Sequence, residues 1–166
     1  MATRSVKMAL LKILALKGQR IAQESVIPLL ARISLAATFW LSGQSKVVGL
    51  NIDILETSTP WQLGIPRVTD SSVSLFTSEY KLPLLSPDVA AVMAATAEHL
   101  FPLLLIVGFA TRFSALALMM MTLVIQIFVY PDAWPVHATW LTAQLYLVTY
   151  GGGRFSFDRL IYRHRT

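Results

Sequence analysis

Four stretches of mainly apolar residues are spaced along the chain and separated by shorter polar segments. They are residues 26–49, 88–110, 113–130 and 136–152. A helix needs about 20 residues to cross a hydrocarbon core of about 30 Å. The first two stretches reach this length, the third nearly does, and the fourth is marginal. None alternates with the period of two that a membrane strand shows, so the pattern predicts four membrane-spanning helices.

Short breakers between the later stretches predict how these helices are arranged. Thr111 and Arg112 separate the second from the third, and residues 131–135 (PDAWP) separate the third from the fourth. Such short connections make consecutive helices antiparallel neighbours. The sequence therefore predicts one all-α domain over residues 1–166, an integral membrane four-helix bundle.

Residues 50–86 form a connection that is long for a compact helical bundle. The segments TSTP and TDSS mark irregular chain, and Ser72 is a candidate N-cap for a short helix with Leu75, Phe76 and Tyr80 on one side. We expect this outer loop, between the first two spans, to lie over the mouth of the bundle. A loose, solvated loop is the alternative.

Residues 1–20 mix apolar residues with lysines ahead of the first span. Met8, Leu11 and Ala15 recur at helical spacing, which predicts an interfacial amphipathic helix on the anionic inner leaflet. A secretory signal peptide is the alternative. It is not preferred, because Lys12 and Lys17 interrupt the apolar run and no small-residue cleavage site follows.

The composition and the placement of cations support a membrane protein of defined orientation. Charged residues make up 14% of the chain, against about 25% in soluble domains. Only Arg67 and Lys81 lie on the side of the long loop. The cations on the side of both termini are Arg4, Lys7, Lys12, Lys17, Arg20, Arg112, Arg154, Arg159, Arg163 and Arg165. The positive-inside rule makes that side cytoplasmic, with both termini inside, and it accounts for the net charge of +5 without a nucleic-acid partner.

Ionisable side chains within the predicted spans are candidates for function, because they are costly in lipid. Glu98 lies about halfway along the second span. Lys46 is near the outer end of the first span, and Arg32 is near its inner end. A rise of 1.5 Å per residue separates either cation from Glu98 by about 10 Å in depth. Both are candidate partners for the carboxylate, and Lys46 is preferred.

Further polar residues extend this candidate site. Gln126 and Gln144 project at similar depth from the third and fourth spans, and one arrangement gathers them with Glu98 in a polar pocket that opens outward. Asp132 and His137 lie at the predicted outer mouth. Hydrogen bonding between helices without further function is the alternative, at about 0.6 kcal/mol for each contact.

Metal ligation is not expected from this set of residues. The chain has no cysteine, and His99 and His137 lie on different helices without the i, i+4 spacing or acidic cluster of a metal site. His99 also points about 100° away from Glu98 around the helix. Thioethers suit Cu(I), but the consecutive residues 119–121 (MMM) spread around their helix, so packing is preferred. Haem and copper are not expected. The cofactor stays unknown, and a quinone is compatible with the site.

Several motifs together give the sequence a resemblance to a known family. They are Arg32, FWLSGQSKVVG at 39–49, EYKLPLL at 79–85, EHLFPLLLIVGFATRFSALAL at 98–118, MTLVIQIFVYPDAWPVHATW at 121–140 and GGGRFSFDRL at 151–160. Over roughly residues 28–160 the chain resembles the DoxX family of small four-helix bacterial membrane proteins. The resemblance implies a multi-pass protein of the bacterial plasma (inner) membrane, linked by family name to a subunit of a terminal quinol oxidase. Carried over as family features are Arg32, Lys46, Glu98, Arg112 and Asp158.

Three functions are compatible with these observations. The first is an accessory subunit of a redox- or stress-associated complex, with a membrane or outer-side protein partner. The second is a quinone-binding oxidoreductase subunit, in which Glu98 relays protons while Gln126 or His99 hydrogen-bonds a quinone carbonyl. The third is a small transporter or copper-handling protein, although the sequence has neither the inverted repeats nor the broken helix that favour transport. A non-catalytic subunit is preferred to an enzyme.

Overall fold

The computed structural model describes residues 2–55 and 60–163. Its helices are α1 (Ala2–Ile21), α2 (Ile27–Gln44), α3 (Asp70–Leu75), α4 (Pro87–Val107), α5 (Thr111–Val124), α6 (Trp134–Tyr150) and α7 (Phe157–Arg163). Single π-helical turns follow α1 (Ala22–Val26), α3 (Phe76–Tyr80) and α5 (Ile125–Val129), and a 3₁₀ turn (Pro131–Ala133) precedes α6. Strands β1 (Val47–Asn51) and β2 (Gln62–Val68) pair as an antiparallel hairpin.

Helices α2, α4, α5 and α6 pack in a ring, in which α2 contacts α4 and α6, and α5 contacts the same two helices. Leucine and phenylalanine side chains from all four fill the centre, among them Leu35, Phe39, Leu105, Leu118 and Leu147. Burial of such side chains away from water stabilises soluble cores; within lipid the same contacts contribute mainly through dispersion and close packing.

Among residues 2–55 and 60–163, three helical segments are long and apolar enough to cross a membrane: Leu11–Gln44, Pro87–Val107 and Thr111–Val129. These correspond to the first three predicted spans. Helix α6 has 17 residues, about three fewer than a straight crossing needs, so the fourth span stays a prediction. The orientation of the bundle also stays a prediction.

The first predicted span is wrong at its end. Helix α2 stops at Gln44, where Lys46 N–H donates to the carbonyl of Gly43 and turns the chain. Residues 47–51 then form β1, because β-branched valines favour extended chain and Gly49 adopts a φ of +89° that a side chain disfavours. The hydropathy pattern of residues 26–49 did not indicate this change from helix to strand.

The fourth helix also ends earlier than the sequence predicts. The sequence predicts helix to residue 152, whereas α6 ends at Tyr150 and Gly151 takes a φ of +78°. A positive φ stops a right-handed helix, and glycine adopts it without steric cost. The glycines therefore end the helix instead of continuing it.

The outer loop is neither purely helical nor loose, which corrects the all-α prediction. It contains the β1–β2 hairpin, followed by α3. The N-cap of α3 is Thr69, whose Oγ1 accepts from Ser72 N–H at 3.1 Å, so the prediction of Ser72 as cap is wrong. Phe76 is buried against Ala90 and Ala91 of α4. We call this side of the molecule the hairpin end, and the opposite side, where α4 meets α5, the basic end.

Helix α1 precedes the ring of helices in the chain, and its Met8 and Leu11 side chains are exposed. Lys12 and Lys17 lie about 140° apart around the helix axis, so the apolar residues are not gathered on one clean face. The interfacial placement of this helix stays a prediction.

Candidate functional site

The centre of the site is an ion pair between two side chains removed from solvent. Lys46 lies just beyond α2, and its Nζ is 2.8 Å from Oε2 of Glu98 on α4. The two side chains are 8% and 3% exposed. Of the two cations predicted as partners for Glu98, the structure brings Lys46 to it.

Ser42 joins the two charges through both its backbone and its hydroxyl. Lys46 Nζ donates to the Ser42 carbonyl at 3.0 Å and to Ser42 Oγ at 2.9 Å. Ser42 Oγ in turn donates to Glu98 Oε1 at 3.1 Å. With the ion-pair contact to Glu98 Oε2, Lys46 Nζ has three oxygen neighbours, and Glu98 Oε2 makes no hydrogen bond besides this contact.

A glycine allows α2 and α4 to approach closely at this level. A Cβ on Gly43 would lie 2.9 Å from the ring of His99 and 3.0 Å from Cβ of Glu98. Small residues let membrane helices pack at short distance. Gly43 therefore sets the spacing at which Ser42 reaches the carboxylate.

The ion pair forms part of the wall of a cavity of about 360 Å³ near the hairpin end. The rest of the wall is largely apolar and aromatic. It includes Phe76 and Tyr80 from the loop, Ala94 from α4, Met121 from α5 and Trp140 from α6. The cavity is thus an apolar compartment with one charged feature.

Two tyrosines lie beside this compartment at the hairpin end. The rings of Tyr80 and Tyr130 meet edge to face, with centroids 6.0 Å apart, and Tyr130 Oη donates to Glu79 at 3.4 Å. Burial, together with the neighbouring Tyr130, raises the pKa of Tyr80 above its ordinary value.

His137 contributes a second polar group to the cavity wall. The side-chain amide of Gln126 donates through Nε2 to the Pro131 carbonyl at 2.7 Å, so its Oε1 faces His137 Nδ1 at 2.6 Å. Because Oε1 is an acceptor, His137 donates to it through Nδ1. His137 Nε2 is then a hydrogen-bond acceptor.

The predicted pocket of Glu98, Gln126 and Gln144 is wrong. Glu98 lines the cavity, but Gln126 turns toward the backbone of Pro131 because it lies in the π turn after α5. Gln144 lies two turns beyond His137 on α6, fully buried, and donates to Thr122 Oγ1 at 2.9 Å. It connects α6 to α5 away from the cavity.

His99 faces a different neighbourhood from Glu98, as its position one residue later requires. Its Nε2 lies 2.8 Å from Gln44 Nε2, and its Nδ1 lies 2.7 Å from the Ala95 carbonyl. The ring also meets Trp40 edge to face at 5.1 Å. Both nitrogens have partners, and His99 is not among the residues that line the cavity.

Arg32 belongs to the basic end, far from the carboxylate of Glu98. Its guanidinium donates to four backbone carbonyls, those of Leu105, Ile106, Gly152 and Phe155, at 2.6–3.1 Å. The side chain is 2% exposed. It neutralises the carbonyl end of α4, where a cation is favourable, and attaches the chain after α6 to it.

Asp158 and Arg112 lie at the same end. The carboxylate of Asp158 accepts from Ala110 N–H at 2.7 Å and from Thr111 N–H at 2.8 Å, so it caps α5. Arg112 is exposed and donates to the Thr149 carbonyl at 3.1 Å. Of the positions carried over by resemblance, only Lys46 and Glu98 line the cavity.

The remaining predicted residues stand apart from the ion pair. Asp132 is exposed in the 3₁₀ turn. Of the three consecutive methionines, only Met121 lines the cavity, and Met120 is exposed. Within residues 2–55 and 60–163, no three His, Asp or Glu side chains come together in a group able to hold a metal ion.

Sequence reasoning missed Ser42, Gln44 and Tyr80. Ser42 precedes Lys46 by four residues, the spacing at which side chains share a helix face, so this signal was present. Gln44 and Tyr80 act through the hairpin and the loop, whose positions a hydropathy pattern does not give.

These features define a membrane protein with a helical core and a mainly apolar cavity, into whose wall a buried ion pair is built. The sequence model of the DoxX family matches residues 27–131. The chain belongs to the DoxX family, and the match includes Arg32, Lys46 and Glu98 but ends before α6. No curated protein and no solved structure matches the chain.

Proposed function

We propose that this DoxX-family protein is an accessory membrane subunit of a redox-associated complex, and that it binds a quinol-class ring in the cavity beside Lys46 and Glu98. One observation carries the proposal: a buried charge pair forms part of a mainly apolar wall. The cavity volume of about 360 Å³ lies in the usual range for small-molecule sites. A membrane supplies lipophilic rings to such a compartment.

The hydrogen-bonding capacity of the wall favours hydroxyl groups over carbonyl groups. All protons of Lys46 Nζ are used within the pair, whereas a carboxylate has about four lone-pair sites and two contacts are made to Glu98. His137 Nε2 adds a second acceptor. A ligand that donates hydrogen bonds therefore complements the wall, and a reduced quinol does so better than its quinone.

The same groups suit the proton chemistry of a quinol. Oxidation of a quinol releases two protons and two electrons. We expect Glu98 and His137, which both line the cavity, to accept these two protons, and a partner redox protein to take the electrons. The Lys and Arg distribution supports a location in the bacterial inner membrane with the hairpin end outside, so we expect the partner to approach near Tyr80 and Tyr130.

Equilibrium binding of a short-chain quinol to the protein in lipid nanodiscs tests this function. We expect saturable binding of one quinol per chain, and weaker binding of the matching quinone. The double variant Lys46→Met/Glu98→Gln removes both charges together and should bind the quinol about tenfold more weakly, since charge-assisted hydrogen bonds are the stronger ones.

A matched control uses another carboxylate on the same helix. Asp88 is exposed in the first turn of α4, and Asp88→Asn should leave the affinity unchanged. Absence of saturable binding to the wild-type protein, or equal affinity in the double variant, would contradict the proposal.

A further inference from the structure

The β1–β2 hairpin presents one strongly apolar face away from the bundle. Val48, Leu63 and Ile65 are 57%, 77% and 81% exposed, and Trp61, just before β2, is 68% exposed. Val48 pairs with Arg67 and Leu50 pairs with Leu63, so Val48 and Leu63 share one side of the sheet, and Ile65 lies at the register shift between these pairs. We call these four residues the apolar hairpin face.

The end of the hairpin nearest α2 packs against the protein. Val47, next to Val48, is buried, and Val68 packs against the cluster that contains Phe76. This packing holds the hairpin in one orientation, in which the apolar hairpin face is exposed. A register slip would exchange the two sides.

Hydrogen bonds fix the hairpin beside the end of α2. Gln44 Oε1 accepts from Ile52 N–H at 2.7 Å, and Trp40 Nε1 donates to the Ile52 carbonyl at 3.0 Å. Trp40 lies one turn below Gln44, about 6 Å along the helix. The end of β1 thus lies at the level of the last turns of a membrane-spanning helix, where the bilayer begins.

We infer that the apolar hairpin face lies in the lipid leaflet at the hairpin end and acts as a second membrane anchor. Strand β2 contacts α4, whose exposed Val89, Val92 and Met93 form the neighbouring lipid-facing surface. The hairpin therefore lies next to an apolar surface of α4. A tryptophan at its edge is typical of the membrane interface.

Charges around the face match a shallow, interfacial position. Arg67 follows Ile65 on the same side of the strand and is exposed, so its guanidinium reaches phosphate while its stem lies along lipid. The connection after β1 includes Asp53, and its sequence adds Glu56. We expect the apolar strand residues to enter the acyl region.

The absence of cysteine from the chain makes a direct test practical. Single-cysteine variants Leu63→Cys and Ile65→Cys are spin-labelled and reconstituted into phosphatidylethanolamine–phosphatidylglycerol vesicles. Collision rates with oxygen, which concentrates in lipid, and with a water-soluble nickel chelate are then compared. Leu103→Cys, on the exposed surface of α4, is the lipid reference, and Ser78→Cys, exposed after α3, is the water reference.

We expect the labels at positions 63 and 65 to favour oxygen severalfold, as the label at 103 does. Collision with the nickel chelate at the rate found for position 78 would overturn the inference and leave the face exposed to water. Protection from both reagents would also overturn it, because a protein or a second copy would then cover the face. Quenching of Trp61 fluorescence by brominated lipid, measured against Trp61→Phe, gives a check without any label.

Discussion

The ammonium nitrogen of Lys46 lies 2.8 Å from a carboxylate oxygen of Glu98, with both side chains nearly inaccessible to solvent. Burial of either charge costs free energy, since an ion removed from water keeps its charge only when partners replace its hydration. Ser42 supplies the remaining contacts. The stability of the pair is therefore cooperative, and the loss of one member affects the other.

Single removal of the carboxylate should be more harmful than removal of the whole pair. Glu98→Gln leaves a buried ammonium without its counter-ion, which costs about 3–5 kcal/mol. The double variant Lys46→Met/Glu98→Gln leaves no unpaired charge and should recover most of that loss. Thermal unfolding in detergent measures both. A double variant less stable than Glu98→Gln would show that the pair is not the coupled unit described here.

Arg32 should not tolerate lysine, despite the shared charge. A single ammonium has three protons on one atom and cannot serve the four carbonyls that the planar guanidinium reaches. We expect Arg32→Lys to lower the unfolding free energy by about 2 kcal/mol or more. Arg112→Lys is the control, with one exposed bond and an expected change within about 0.5 kcal/mol. Similar melting temperatures for both variants would argue against the role assigned to Arg32.

Two glycine-to-alanine changes should have opposite effects on stability. Gly43→Ala places a methyl group 2.9 Å from His99 and should destabilise by about 1–3 kcal/mol through overpacking. Gly18 lies in α1 with nothing within 4 Å of a new Cβ, so Gly18→Ala should stabilise its helix by about 0.5–1 kcal/mol. Circular dichroism melts compare the two. An unchanged melt for Gly43→Ala would mean that α2 and α4 do not rely on this close contact.

Filling the cavity should remove binding without unfolding the protein. Ala94 lines the cavity, and Ala94→Phe adds a ring to a space that the native side chains leave open. We expect loss of saturable quinol binding in nanodiscs, with the melting temperature retained. Ala138→Phe makes the same change on an exposed surface of α6 and should bind as the wild type does. An unchanged affinity in Ala94→Phe would show that the quinol does not bind in this cavity.

The hydropathy pattern and the helical rise per residue predicted the apolar spans and the relative depths of their polar residues. The first three spans follow from apolar length, and the approach of Lys46 to Glu98 follows from their levels in two neighbouring helices. The hairpin could not be found in this way, because Val47 and Val48 extend the apolar run of α2 without a polar break. Only the backbone shows that the chain turns back at Ser45.

The composition of the cavity wall depends on rotations that a sequence pattern does not fix. Gln126 and Glu98 share a depth, but the π turn after α5 directs Gln126 to Pro131 and His137. Its depth in the first predicted span made Arg32 a second candidate partner for Glu98. Its hydrogen bonds to the carbonyls of Gly152 and Phe155 depend on the return of the chain after α6. Both residues lie more than a hundred positions from Arg32 in the sequence.

The most direct test of the cavity's role is to count the quinones that leave the membrane with the protein. Wild type and Ala94→Phe are purified in mild detergent from the same host, and extracted quinone and quinol are quantified by chromatography and mass spectrometry. We predict close to one molecule per wild-type chain and a background amount in the filled variant. Equal background amounts in both would contradict a quinol-class ligand in the cavity beside Lys46 and Glu98.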